Sequence, residues 1–297
     1  MPPRLGSQWR KAALSTCIYL FISLALTLHN KMVLQWYQFS FPWLVTATHS
    51  LGGIVGTQIM QRLGTFTPVR LDKQQQRILW QFSVLYTVNI AVSNISLNFV
   101  TIPFHQVVRG TVPVFTLAIT ALSGGDPKLP ILAYVSLVPV VMGVGLATYG
   151  DYSWTVVGLL LTLLGTVLAA VKTVVTNRIL VGRLQLKLGA FDLLYRLSPL
   201  ALAQTLAWSL VTGEFAQARA FMTGMDSVWP LLGALAANGA IAFVLNIASF
   251  TASKNTSALA MTVTGNVKVV LTVVLGCILF SVQLSYLSML GITITLL

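Results

Sequence analysis

Long apolar runs, each about the length of a bilayer crossing, follow one another through this chain and leave it almost no choice of solvent. They cover residues near 12–33, 41–61, 78–99, 104–123, 130–149, 154–177, 191–211, 229–251 and 256–280. A hydrocarbon core of ~30 Å takes roughly 20 apolar residues of helix, so each run reads as a transmembrane helix. A tenth begins near Leu284 and reaches only Leu297. At 1.5 Å per residue it is ~21 Å long, so the chain reads as stopping inside its tenth helix.

Composition agrees. Of 297 residues 56% are hydrophobic and 8% charged, with mean hydropathy +0.83, whereas a soluble domain carries about a quarter charged residues. The start "MPPRLGSQWRKAALSTCIYLFISLAL" is basic and then apolar beyond signal-peptide length, without a small-x-small cleavage site. It predicts a retained signal-anchor. Cys17 and Cys277 both lie in apolar runs, so neither a disulfide nor a zinc pattern is expected.

The net charge of +12 comes without any Lys/Arg tract, which argues against nucleic acid as a partner and for positive cytosolic loops. Arg4, Arg10, Lys11, Arg62, Arg70, Lys73, Arg77, Lys128, Arg178, Arg183, Lys187 and Lys254 all fall on one side of the ten-helix map. The other side holds Arg219 alone, in "TGEFAQARAFMTGMD". The basic side is the cytosol, so the N-terminus is predicted to be cytosolic. On this map the sequons at Asn94 and Asn255 lie in membrane or cytosol and stay unglycosylated.

The chain also resembles itself. "LHNKMVL" closing the first span is similar to "VTNRILV" closing the sixth, and "HQVVRGTVPVFT" in the fourth to "TGNVKVVLTVVL" in the ninth. The expected fold is therefore an all-α membrane protein, one transporter domain over 1–297. Its ten helices form two inverted five-helix repeats, near 12–149 and 154–297. In such folds the binding site lies near the midplane where the repeats meet.

Basic residues inside the spans point to what binds there. Lys268 sits about midway along the ninth span and Arg109 about five residues inside the fourth, while Lys31, Lys172 and Arg196 lie nearer span ends. Long side chains at span ends reach the interface. Arg109 and Lys268 have no such easy escape, and intramembrane charges need a partner. Asp72, Asp126, Asp151, Glu214 and Asp226 map to loops, and Asp192 to the cytosolic start of the seventh span. An anionic ligand is thus the economical counter-charge, and a proton pump or cation carrier built on a buried acid is disfavoured. Polar stripes accompany the pair. They are His105, Pro113, Thr116 and Thr120 around Arg109, Thr264 and Thr272 beside Lys268, Tyr86, Asn89, Ser93 and Ser96 in the third span, and Asn238, Asn246 and Ser249 in the eighth. Such stripes serve helix packing as readily as binding. His105 reads as an interfacial histidine. No carboxylate pair, Ser/His/Asp set or metal cluster lies at membrane depth, so neither an enzyme nor a cofactor is expected.

"SNISLNFVTIPFHQVVRGTVPVFT", "SALAMTVTGNVKVVLTVV" and the "HNK" closing the first span together resemble the triose-phosphate/nucleotide-sugar transporter family of the drug/metabolite transporter superfamily. The resemblance implies ten helices in two inverted halves and exchange of phosphorylated sugars or nucleotide sugars for phosphate or a nucleoside monophosphate. It makes Arg109 and Lys268 the anion-binding cations and Ser93 a hydroxyl contact, and it brings in Gln106 and Lys31 through their motifs. Two departures matter. Arg109 stands where lysine is usual, offering phosphate a bidentate fork. Val269 follows Lys268 where plastid phosphate translocators have a second cation.

The sequence thus predicts a secondary antiporter working by alternating access, most simply a nucleotide sugar exchanged for a nucleoside monophosphate in a Golgi or ER membrane. Its expected substrate contacts are Arg109, Lys268, Ser93, Lys31, Asn89, Tyr86, Gln106, Thr264 and Asn246. A sugar-phosphate/phosphate exchanger on the same fold and a transport-inactive scaffold are the alternatives. The partners are a small phosphorylated anion and the bilayer, and a homodimer is left open.

Overall fold

The computed structural model describes residues 5–100, 102–124, 155–184, 186 and 188–280. The fifth and tenth predicted spans, with Lys128, Asp126 and Asp151, lie outside them. Among the described residues every regular element is a helix: α1 (Leu5–Trp36), α2 (Pro42–Arg62), α3 (Lys73–Ser96), α4 (Ile102–Arg109), α5 (Val112–Leu122), α6 (Val156–Val181), α7 (Ala190–Val211), α8 (Glu214–Thr223), α9 (Trp229–Asn255) and α10 (Ala258–Phe280). Four stretches of the described residues are both long and apolar enough to cross a membrane, Trp9–Trp36, Lys73–Ser96, Val156–Val181 and Trp229–Asn255. The chain divides into two compact units. One takes Met1–Thr87 and Arg178–Asn255, the other Val88–Asn177 and the residues from Thr256 on.

In the first unit α1 packs on α9, and α2 on both α7 and α9. The α2–α9 crossing is close because glycines meet there. A Cβ on Gly52 would stand 2.2 Å from the Gly239 carbonyl oxygen, and one on Gly239 would stand 2.8 Å from that of Thr48. Small residues allow backbones this near without a hydrophobic drive between helices. Beside the crossing, fully buried Asn238 joins three helices. Its Oδ1 lies 2.5 Å from His49 Nε2, and its Nδ2 lies 2.9 Å from His29 Nδ1 and donates to Asn30 Oδ1 at 2.6 Å.

Turns and helix ends show how loop acids are used. Asp72 caps α3 reciprocally with Gln75, its Oδ1 accepting from the Gln75 N–H at 2.7 Å while its own N–H donates to Gln75 Oε1 at 3.2 Å. This is a capping-box arrangement. Glu214, at the start of α8, accepts from the Leu44 N–H at 2.8 Å and so caps α2 from 170 residues away in sequence. Burial raises the Glu214 pKa above the ordinary glutamate value, partly offset by the donors of Leu44 and Trp43.

The second unit contains the main departure from the sequence reading. A single helix over 104–123 was expected, whereas α4 ends at Arg109 and α5 begins at Val112. Pro113 has no N–H to return to the Arg109 carbonyl, its i−4 acceptor, and its ring crowds that carbonyl. Gly110, a poor helix former, sits in the gap. The chain tightens through it: the Thr111 N–H reaches the Val108 carbonyl at 3.1 Å, and the Val114 N–H reaches Thr111 at 2.9 Å. Val114 thus turns away from Gly110, and the Gly110 carbonyl accepts instead from Asn266 Nδ2 of α10 at 2.8 Å. Backbone polar groups at membrane depth need such substitutes.

Candidate functional site

Arg109 is the last residue of α4, placed by the break at the point where the helix stops. Its Nη1 donates to Ser93 Oγ on α3. His105, one turn earlier, is 4% exposed and approaches the same hydroxyl through Nε2 at 3.5 Å. The histidine is therefore buried, not interfacial, and its Nδ1 has no partner among the described residues. Ser93 is held in place by helix packing: α3 lies against α6 at Gly165, and the buried Asn89 amide donates to the Gly165 carbonyl at 2.8 Å.

Among the described residues the charges around Arg109 are all of one sign. Arg109 and Lys268 are near enough to repel, and both act on Lys172 of α6. The helices α3, α4, α5, α6 and α10 contain no Asp or Glu. By contrast, Arg196 of the first unit, read from sequence as snorkelling, is paired. Its Nε meets Asp192 Oδ1 at 3.0 Å, and its guanidinium donates to the Val69 carbonyl. Asp192 is itself 3% exposed and accepts from the Val69 N–H.

A span ending at Asn177, as hydropathy draws it, puts Lys172 near its end. The helix runs on to Val181, more than two turns beyond the lysine, which sets it further from the helix end. Asn266 was also missed, although it stands two residues before Lys268 inside the quoted "TGNVK".

The other predicted contacts divide by unit. Tyr86 and Asn246 line one cavity of about 150 Å³ in the first unit, with His49, Ser50, Ser83 and Ser198. Asn246 also donates to the Ala242 carbonyl of its own helix at 2.9 Å. Lys31 is half-buried on α1. In the second unit, Gln106 is exposed on α4, and Thr264 bonds back to the Ala260 carbonyl at 2.7 Å. The structure thus brings Arg109, Ser93 and Lys268 together with Lys172 and His105, and separately brings Tyr86 to Asn246.

Comparison with known proteins gives a consistent set. The model of the Triose-phosphate Transporter family matches residues 10–297. A probable sugar phosphate/phosphate translocator of Arabidopsis thaliana is 29% identical, covering 92% of this chain and 88% of that protein. UDP-galactose transporter 1 of the same plant is 25% identical over 90% of this chain and 79% of that protein. Human solute carrier family 35 member E4 is 29% identical over 96% and 78%. A crystal structure at 17% identity, covering 96% of this chain and 94% of that one with TM-score 0.66, shares the fold.

Proposed function

The chain belongs to the triose-phosphate transporter family, and from that premise we propose that it is an alternating-access antiporter of a phosphorylated anionic metabolite, with a nucleotide sugar favoured. The observation that carries this reading is the group of Arg109, Lys172 and Lys268, mutually repelling on helices without a carboxylate. Such a group favours an anion among it, and phosphate oxygens match the Arg109 fork. Arg109 and Lys268 hold the phosphates, and Ser93 orients the guanidinium. Gln106 and Thr264 have smaller roles in the same unit. Asn89 acts through its hold on α6. The protein is a carrier that makes and breaks no covalent bond, and it works in a Golgi or ER membrane with its N-terminus in the cytosol.

Relatives named for nucleotide sugars and for sugar phosphates both match this chain, and two residues pull in opposite directions. Val269 follows Lys268 where the plastid phosphate translocators of the family have a second cation, which favours a nucleotide sugar. Lys172 supplies a third positive charge, which favours the more concentrated charge of a smaller sugar phosphate. Counterflow into liposomes loaded with a panel of both classes separates them. One class is expected to drive uptake and to raise the melting temperature. Arg109→Gln and Lys268→Gln each weaken that stabilisation about a hundredfold in ligand concentration, the cost of losing a charged partner of a phosphate. Stabilisation untouched by both substitutions would instead mark a scaffold.

A further inference from the structure

A second basic site lies in the first unit, away from the cations above in sequence and chemistry. A groove of about 680 Å³ opens between α2, the start of α3 and α7. Its rim carries Lys73 and Arg77, both exposed, and neither is paired among the described residues. The third basic residue in its lining, Arg196, is already neutralised by Asp192. Trp80, 57% exposed, follows Lys73 and Arg77 one turn deeper on the same stripe of α3. Below it the walls are apolar, from Ile54, Leu79 and Leu200. Pro199 lies inside α7 here and leaves the Tyr195 carbonyl without its helical donor. The order along the groove is therefore cation, aromatic, hydrocarbon, which is the order of a bilayer leaflet from headgroup to acyl chain.

We propose that this groove is a binding site for an anionic glycerophospholipid of the leaflet facing the basic loops. The lipid phosphate sits between Lys73 and Arg77, and Gln58 and Gln76 reach its headgroup. An acyl chain lies past Trp80 along Ile54 and Leu200. The charge excess selects an anionic headgroup, and the apolar floor selects a lipid over a free anion. Basic pockets between membrane helices near the cytosolic surface hold acidic lipids in this way.

The test uses the full chain in phosphatidylcholine bilayers containing a minor share of phosphatidylinositol with brominated acyl chains, which quench tryptophan on contact. The Trp80 signal is the difference between the wild type and Trp80→Phe. The expected result is quenching that reports phosphatidylinositol enriched about twenty-five-fold over its share, roughly fivefold for each basic side chain. Lys73→Gln/Arg77→Gln brings quenching down to the level of brominated phosphatidylcholine, and Lys73→Arg/Arg77→Lys keeps it. Equal quenching by brominated phosphatidylcholine in the wild type, or no change in the Gln pair, overturns the site. Loss of enrichment in millimolar inorganic phosphate at constant ionic strength also overturns it, because the groove would then hold a free anion.

Discussion

Arg109 keeps its charge only usefully if its guanidinium points where an anion can meet it, and the Ser93 hydroxyl is what fixes that direction. Removing the hydroxyl leaves the charge but frees the rotamers, and a hydrogen bond to a charged group contributes about 1.5–3 kcal/mol. Ser93→Ala should therefore raise the substrate concentration for half-stabilisation about tenfold, while Ser93→Thr restores it, both read by thermal shift. A purely structural serine would instead lower the melting temperature of the empty protein and leave the substrate dependence alone. At this scale the sequence was legible where chemistry clashed with surroundings. A lysine and an arginine inside apolar runs identify themselves, because burying charge is costly. Lys172 and Asp192 were not legible in the same way. The depth of Lys172 depends on where α6 ends, and the burial of Asp192 depends on the Val69 backbone coming to meet it.

Broken helices are the element on which this site is built. Gly110 and Pro113 are both visible in the sequence, yet a continuous apolar run masks them, because proline is tolerated in membrane helices when other groups satisfy the freed backbone. Pro113 and Gly110 open the break, and what sustains it is the remote donor, Asn266, whose amide serves the Gly110 carbonyl from α10. That pairing is long-range, across 156 residues, so no local pattern announces it. Asn266→Leu should leave the carbonyl unpaired at a cost of about 1–3 kcal/mol. The expected outcome is a lower melting temperature in detergent together with weaker substrate stabilisation, since Arg109 immediately precedes the break. A drop in melting temperature with unaltered substrate stabilisation would separate the break from the site.

Across the whole molecule, sequence order and spatial grouping part company. The repeat reading divides the chain near its middle, but each compact unit draws helices from both halves. In a bilayer the lipid-facing and buried sides of a helix are both apolar, so hydropathy does not say which helices pair. Particular contacts do, such as the meeting of Gly52 with Gly239 or the reach of Asn238 to two other helices. The charge pattern, by contrast, is a whole-molecule property that the sequence does carry, and it sets the expected mode of transport. An empty carrier holds Arg109, Lys172 and Lys268 against one another. At an effective dielectric of about 20, two unit charges roughly 8 Å apart repel by about 2 kcal/mol. If reorientation takes these charges out of water without their anion, a term of that size slows the empty step about thirtyfold relative to the loaded one. Uptake into liposomes loaded with substrate should then exceed uptake into empty liposomes by more than about tenfold. Lys172→Gln removes two of the three pairwise repulsions, so it should narrow that ratio by speeding the empty return even as it weakens binding. Wild-type uptake that is equally fast with and without internal substrate would rule out exchange driven by these charges and leave a uniporter on the same fold.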